Sequence, residues 1–172
     1  MLIPEEKIRE KVKELGKRIS HDYVNKNLLL IGILKGSVIF LSDLAREITV
    51  PLQLDFMAVT SYGASTHSSG VVRILKDLES DINGRDVLVV EDIIDTGLTL
   101  SYLKEYLNSK NPASLKICAF LDKPSRRKIN IVPDYNGYEI PDEFVVGYGL
   151  DYNEKFRNLA YVGVVSPTEI GK

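Results

Sequence analysis

The feature that most constrains the fold is a short apolar run followed at once by two acids, a polar loop and the start of a helix. The run is Val87 to Val90, and the stretch from Val87 to Leu100 reads VLVVEDIIDTGLTL. Four apolar residues without polar alternation are typical of a parallel strand that is covered on both faces. Because helices usually cover such strands, this stretch predicts an α/β fold.

Strand and helix patterns alternate along the rest of the chain. An amphipathic first helix is predicted from apolar residues at helical spacing, namely Ile8, Val12, Leu15 and Ile19. A turn at 35–37 joins a strand to a second helix, and a third helix follows Gly97. Strands are predicted at 28–34, 52–62, 71–76, 114–121, 144–149 and 161–165. The pattern predicts a mostly parallel central sheet flanked by helices, with a small hood from the chain ends and a ligand site beyond the carboxyl ends of the strands.

Composition limits the class of protein. The chain has 172 residues and no evident linker or repeat, which predicts a single domain over residues 1–172. Its 44% hydrophobic and 27% charged residues are typical of a globular protein, and its net charge of −2 gives no general attraction to nucleic acid or membrane. Cys118 is the one cysteine and lies in an apolar run, so we expect a packed thiol and a cytoplasmic protein. No signal peptide pattern or membrane-length apolar stretch is present.

A run of small and polar residues extends from Ser61 to Gly70. Such a run cannot form a core, and between two strands it predicts a flexible lid. We expect this lid at about 61–73, joining an antiparallel pair of strands, with His67 as an exposed loop residue.

The polar loop after the acids is suited to an anion, because backbone N–H groups and the helix dipole attract negative charge where a helix begins. The chain lacks both G-x-x-x-x-G-K-[ST] and G-x-G-x-x-G after a strand, which argues against Walker-type and dinucleotide sites. It also lacks a His and Cys cluster for zinc. These exclusions leave a sugar phosphate, with its hydroxyls on Glu91 and Asp92 and its phosphate in the loop.

Three features also have a plain structural interpretation. Asp95 alone is more often a helix cap or a turn residue. The Lys35-Gly36 pair is common where a strand gives way to a helix, although its amides and lysine also suit a diphosphate. The basic run at 125–128 is interpreted as a solvated edge rather than a nucleic-acid contact.

The stretch from Glu91 to Thr99, EDIIDTGLT, resembles the phosphoribosyl-diphosphate signature of the type I phosphoribosyltransferases. Further segments resemble those of the family's purine salvage branch, and they occur along the chain in the same order as in that branch. They are Leu34-Lys35-Gly36, Ser61-Tyr62-Gly63, Lys123, Glu139 to Asp142, Phe144 to Tyr148, Leu150 to Glu154, and Arg157. The resemblance implies the type I phosphoribosyltransferase fold and the transfer of a phosphoribosyl group from 5-phosphoribosyl 1-diphosphate to a free 6-oxopurine.

The resemblance also implies how the sugar phosphate is held. The 5′-phosphate is expected on the loop formed by Asp95, Thr96, Gly97, Leu98 and Thr99. Lys35, Gly36 and Arg157 are expected to bind the diphosphate, with a cis peptide bond between Lys35 and Gly36. Mg²⁺ is the implied cofactor, with Asp151 as a ligand and with Glu91 and Asp92 along the ribose hydroxyls and a second metal ion.

For the base, the resemblance implies Asp95 as the general base at the imidazole edge of the purine. Lys123 is expected to donate to the six-oxo group, which distinguishes hypoxanthine and guanine from adenine because lysine has donors only. Phe144 would stack on the ring and the Val145 backbone would meet its pyrimidine edge. Asp151 completes the purine pocket, which is expected at about 133–157.

The remaining implications concern the lid, the partners and two departures from the family pattern. Ser61 and Tyr62 begin the family's catalytic loop. Partners are expected to be small-molecule substrates and further copies of the chain in a dimer or tetramer, without nucleic acid or membrane. Leu98 stands where some relatives carry lysine, which removes a phosphate contact, and Ser37 stands where others carry a second glycine.

Two alternatives stay open at this point. One is a regulator that keeps the phosphoribosyltransferase fold and binds RNA, although the net charge of −2 argues against it. The other is a salvage enzyme that prefers xanthine and guanine.

Overall fold

The computed structural model describes residues 1–61 and 72–166, and its helices and strands alternate as predicted. The helices are α1 (Glu5–Asp22), α2 (Val38–Glu47) and α3 (Leu98–Asn108), with a 3₁₀ turn at Pro124–Arg126. The strands are β1 (Leu28–Leu34), β2 (Leu52–Ser61), β3 (Val72–Lys76), β4 (Asp86–Ile94), β5 (Ser114–Asp122), β6 (Tyr135–Glu139), β7 (Val145–Val146) and β8 (Gly163–Val164).

Six strands form one sheet in the order β3-β2-β1-β4-β5-β6. All neighbouring pairs are parallel except β2 and β3, which are antiparallel. The predicted fold class is confirmed. Strand β4, which carries the apolar run and the two acids, lies in the interior of the sheet between β1 and β5.

Helices cover both faces of this sheet. On one face α1 and α2 pack against alternate residues of β1, β4 and β5, and α3 packs on the other face. The four apolar residues predicted for the first helix are all buried, namely Ile8, Val12, Leu15 and Ile19. Each such burial stabilises the fold by about 1.5–3 kcal/mol.

The edge strand β6 was not expected, because residues 133–142 resemble a turn-rich segment. Asn136 and Gly137 disfavour strands on propensity alone. In the structure the segment pairs in parallel with β5, and Tyr135 is almost fully buried against the α1 face of the sheet. Tertiary packing therefore outweighs the local preference.

The two ends of the chain meet beside the sheet. The Ile3 N–H donates to the Val162 carbonyl at 3.1 Å, and the Val162 N–H donates to the Ile3 carbonyl at 3.0 Å. Strands β7 and β8 form a separate antiparallel pair, and together with the residues between them they are called the hood. Both are shorter than predicted, and β7 ends where Gly147 and Tyr148 take positive φ angles of 96° and 50°.

The predicted lid lies mostly outside the described residues. Ser61 is the last residue of β2, and Tyr62 and His67 belong to the segment that the structure leaves undescribed. The predicted antiparallel pairing of the flanking strands is confirmed. Over residues 1–61 and 72–166, the model contains no helix of the length and hydrophobicity that a membrane span requires.

Candidate active site

Two acids lie near the carboxyl end of β4. The sequence predicted these acids just after the strand. The strand continues to Ile94, so Glu91 and Asp92 lie within it. Glu91 is only 9% exposed. The side chain of Asp92 lies against the loop that follows β1.

That contact requires a glycine. A Cβ atom on Gly36 would lie 1.7 Å from Oδ2 of Asp92. From the other side, the loop meets the hood, where a Cβ on Gly149 would lie 2.0 Å from the Gly36 carbonyl oxygen. The β1 loop is therefore packed between the side chain of Asp92 and the backbone of the hood.

Burial makes these acids hard to ionise. Burial raises the pKa of Glu91 well above its usual value, and the negative charge of Asp92 raises it further. Burial also raises the pKa of Asp92, and Asp151 adds to that rise, whereas backbone N–H groups and the charge of Arg157 lower it. The carboxylates of Asp92 and Asp151 thus repel each other across the site, and a bound cation would relieve this repulsion.

The loop between β4 and α3 leaves backbone N–H groups at a helix start. Gly97 is the N-cap, with φ of 83°, and it provides no side chain to cap the helix. The Leu98 N–H lies 3.4 Å from Oγ1 of Thr96. The first N–H groups of an α-helix have no partner within the helix, so those of Thr99 and its neighbours suit an anion.

Two arginines hold this loop from the end of β5. Arg126 Nε lies 2.6 Å from Oδ1 of Asp95, and its Nη1 lies 3.3 Å from Asp142. Arg127 Nη1 donates to the Asp95 carbonyl at 2.7 Å, and Arg127 also pairs with the buried Asp122. Asp95 is therefore an ion-paired side chain rather than a helix cap.

The interpretation of residues 125–128 as a solvated edge was wrong for Arg127, whose side chain is only 15% exposed. Arg126 is exposed as predicted, although it also forms ion pairs. Parallel strands end at the same edge of a sheet, so a basic run directly after β5 lies beside the acids that follow β4. This shared edge is the signal that could have predicted the contact. Asp122 and Asp142, the acids that pair with the arginines, were also missed as site residues.

A cavity of about 530 Å³ brings together five of the predicted residues, which are Asp95, Lys123, Phe144, Val145 and Asp151. Ile93, Arg126, Asp142 and Leu150 complete its walls. Lys123 is 8% exposed, and its Nζ lies 3.9 Å from Oδ1 of Asp142. Phe144 is 43% exposed and meets the ring of Tyr152 edge-on at 5.8 Å.

A larger cavity, of about 620 Å³, lies elsewhere, between α1, α2 and residues 158–160. Its polar walls mix acids with Arg9, Lys13 and Arg46. The residues predicted to bind and deprotonate the base line the smaller cavity, so cavity size alone does not identify the candidate site.

The predicted diphosphate residues form a second cluster beside this cavity. Arg157 Nη1 donates to the Gly149 carbonyl at 2.8 Å, and its Nη2 lies 2.8 Å from Oδ1 of Asp151. Lys35 Nζ lies 2.7 Å from Oε2 of Glu154, a residue that the sequence did not single out for the diphosphate.

The predicted cis peptide bond was placed one bond too late. The cis bond joins Leu34 to Lys35, at the end of β1, and not Lys35 to Gly36. Cis bonds without proline have no local sequence signal, so their position depends on the folded structure.

The comparisons with known proteins agree with this architecture. The sequence matches the phosphoribosyl transferase domain family over residues 3–153. It is 54% identical to the hypoxanthine-guanine phosphoribosyltransferase of Bacillus subtilis (strain 168) over 167 residues, which cover 97% of this chain and 93% of that protein. It is also 54% identical to the hypoxanthine-guanine phosphoribosyltransferase of Mycobacterium bovis, covering 97% of this chain and 86% of the relative. A crystal structure of a hypoxanthine phosphoribosyltransferase from Staphylococcus aureus matches with a TM-score of 0.95 and 51% identity, over 98% of this chain and 91% of the other.

A mostly parallel sheet flanked by helices, with acids and a helix start at its carboxyl edge, is the architecture of the type I phosphoribosyltransferase class. The chain belongs to the phosphoribosyltransferase family. The resemblance predicted from the stretch between Glu91 and Thr99 is confirmed, and so is the expectation of an enzyme.

Proposed function

We propose that this enzyme transfers the 5-phosphoribosyl group of 5-phosphoribosyl 1-diphosphate to hypoxanthine and guanine, forming IMP and GMP and releasing diphosphate in purine salvage. The observation that supports this most directly is the cavity of about 530 Å³, in which a carboxylate, a buried lysine and an exposed phenylalanine ring converge. Its position beside the acids of β4 suits a base next to a bound sugar. The hypoxanthine-guanine phosphoribosyltransferases named above are similar over almost the whole chain.

The base is selected by Lys123 and Phe144. An ammonium group can only donate, so Lys123 accepts a purine whose six-position carries an oxygen and disfavours the amino group of adenine. Burial of Lys123 increases the discrimination against adenine, because a buried ammonium group without a hydrogen-bond acceptor is destabilised more than one in water. Phe144 offers its exposed ring for stacking, and the Val145 backbone meets the pyrimidine edge.

The proton that leaves the purine is taken by Asp95, whose carboxylate lines the cavity. Arg126 holds this carboxylate at 2.6 Å, and the Arg127 contact to the Asp95 carbonyl fixes the backbone beneath it. A general base positioned in this way contributes about 10²–10⁴ to the rate.

The sugar phosphate lies along the carboxyl edge of the sheet. The 5′-phosphate binds the N–H groups at the start of α3 and the hydroxyls of Thr96 and Thr99. Glu91 and Asp92 bind the ribose hydroxyls. The diphosphate lies between Lys35 and Arg157, with Gly36 allowing close approach to the backbone.

Mg²⁺ is the proposed cofactor. In the described part of the chain, no three His, Cys, Asp or Glu side chains form a group that could hold a metal by themselves. Mg²⁺ commonly binds through one or two carboxylates together with substrate phosphates and water, and the opposed carboxylates of Asp92 and Asp151 fit that donor set. When bound, the ion would neutralise charge on the leaving diphosphate.

Three finer expectations stay predictions. They are a cytoplasmic location, self-association as a dimer or tetramer, and one phosphoribosyltransferase domain over residues 1–172 with its purine-binding hood at about 133–157.

An absorbance assay with 5-phosphoribosyl 1-diphosphate and Mg²⁺ tests the proposed function. We expect nucleotide from hypoxanthine and guanine and none from adenine. If adenine were converted to nucleotide and hypoxanthine were not, the role of Lys123 would be contradicted. Turnover of xanthine and guanine without hypoxanthine would indicate the other salvage specificity, and salt-sensitive RNA binding without any nucleotide would indicate a regulator.

A further inference from the structure

The carboxylate of Glu154 lies between the two cations proposed to bind diphosphate. Its Oε2 lies 2.7 Å from Lys35 Nζ, and its Oε1 lies 3.1 Å from Arg157 Nη2. Each oxygen thus meets one cation, as two oxygens of a diphosphate would. Lys35 is 119 residues away in sequence, so the pairing depends on the fold.

The backbone at Glu154 does not favour a glutamate. Residues 152–155 form a tight turn in which Tyr152 and Lys155 exchange backbone hydrogen bonds of 3.1 and 3.0 Å. The two central residues, Asn153 and Glu154, have φ angles of 50° and 61°. Asparagine and glycine are the usual residues in such turns, whereas glutamate rarely takes a positive φ. Glu154 therefore has an unfavourable backbone conformation, and its side chain makes the two ion pairs.

These contacts also change the local charge. Lys35 and Arg157 each form an ion pair with the carboxylate of Glu154, and two such cationic partners favour its anionic form. The cations of Lys35 and Arg157 are balanced by the anions of Asp151 and Glu154. Removing the charge of Glu154 would leave Lys35 without its carboxylate partner and Arg157 paired with Asp151 alone.

We propose that Glu154 competes with the diphosphate group for Lys35 and Arg157, and thereby weakens the binding of 5-phosphoribosyl 1-diphosphate and speeds the release of diphosphate. The inference rests on the proposed diphosphate role of these two residues. The side chain of Glu154 is 64% exposed, so it can swing away without disturbing the core.

The expected effect is modest. Exposed ion pairs are weak, so the competition changes affinity by roughly 3- to 10-fold rather than by thousands. Even a small change in the affinity for diphosphate affects turnover when product release limits the rate, as it does in many enzymes.

The test uses two variants of the full chain. Glu154→Gln keeps the size of the side chain and removes its charge, and Glu154→Gly removes the whole side chain at a backbone angle that glycine readily adopts. Glu105→Gln, on the exposed side of α3, is the matched control for net charge. The probes are inorganic diphosphate and 5-phosphoribosyl 1-diphosphate, each titrated by calorimetry with Mg²⁺.

We expect both Glu154 variants to bind both probes roughly 3- to 10-fold more tightly and to show a lower KM for 5-phosphoribosyl 1-diphosphate. The KM for hypoxanthine should not change, which separates this role from a general structural one. Unchanged or weaker binding in both variants would overturn the inference, and weaker binding would mean that Glu154 orients the two cations. If the wild-type chain forms no nucleotide, the proposed function itself fails, whatever the variants bind.

Discussion

The carboxylate of Asp95 and the guanidinium of Arg126 lie 2.6 Å apart in the wall of the cavity. A carboxylate that serves as a general base must keep a defined direction, because proton transfer requires hydrogen-bond geometry. Arg126 forms an ion pair with this carboxylate, and its second pair, with Asp142, connects it to the proposed purine pocket. At the scale of the residue, the site thus pairs the proposed base with an arginine that the sequence did not identify as a site residue.

Replacing this base should stop proton transfer and leave substrate binding intact. Asp95→Asn is expected to lower kcat by about 10²–10⁴, with little change in the affinity for 5-phosphoribosyl 1-diphosphate. Steady-state kinetics and calorimetry measure the two effects separately. The exposed Asp81→Asn, which makes the same change of charge away from the cavity, is the matched control. A near-normal rate for Asp95→Asn would mean that another group takes the proton.

At the scale of the element, the site depends on the packing of the hood against the loop after β1. Gly149 has a φ of 102° and touches the Gly36 carbonyl, so the hood approaches this loop through backbone alone. Arg157 Nη1 donates to the Gly149 carbonyl at 2.8 Å and connects the same contact to the proposed diphosphate site. We therefore expect the relative position of hood and sheet to affect the proposed binding of diphosphate.

Gly149→Ala should disturb this contact. We expect a loss of about 1–3 kcal/mol in the free energy of unfolding and a higher KM for 5-phosphoribosyl 1-diphosphate, because the new Cβ needs both a strained φ and room near Gly36. Gly84→Ala is the matched control, since Gly84 has a φ of 70° and no atom within 4 Å of its added Cβ. Urea unfolding and kinetics of both variants test this. An equal loss of stability in the two, with an unchanged KM, would show that the hood contact is not needed.

At the scale of the whole molecule, stability in acid depends on a buried carboxylate far from the cavity. Asp55 accepts hydrogen bonds from the N–H groups of Phe56, Glu79 and Ser80 at 2.7, 3.0 and 2.9 Å. Burial acts to raise the pKa of Asp55, but the hydrogen bonds from Ser80, Phe56 and Glu79 outweigh burial, and the pKa lies below its ordinary 3.8. Because the unfolded chain binds this proton more readily, the stability from Asp55 is present above pH 3.8 and is lost as the pH falls below it.

Asp55→Asn should therefore flatten the acid side of the stability profile. We expect the free energy of unfolding to fall by about 1–3 kcal/mol at neutral pH, and its further loss on acidification to about pH 3 to be smaller than in the wild type. Urea unfolding at both pH values measures this, with the exposed Asp81→Asn as control. If Asp55→Asn lost as much stability on acidification as the wild type, the protecting role of these hydrogen bonds would be refuted.

Local patterns in the sequence determined much of this protein. The apolar runs and helical spacing predicted the order of the main strands and helices, because burial on one or two faces imposes a period on the residues themselves. The stretch from Glu91 to Thr99 indicated the family, because its acids, loop and helix start are contiguous in the chain. The resemblance also identified Lys123, Phe144 and Val145, each in a short recognisable segment, and these residues line one cavity. Their role in reading the base stays a prediction.

Only the tertiary structure decided how these segments meet. The edge strand β6, the pairing of Arg126 with Asp95 and the position of the cis bond have no local signal. The contact of Lys35 with Glu154 spans 119 residues, and Gly149 meets Gly36 across the hood. Such contacts depend on which strand ends lie at the same edge and on how closely backbones approach, and both are set by packing between distant parts of the chain.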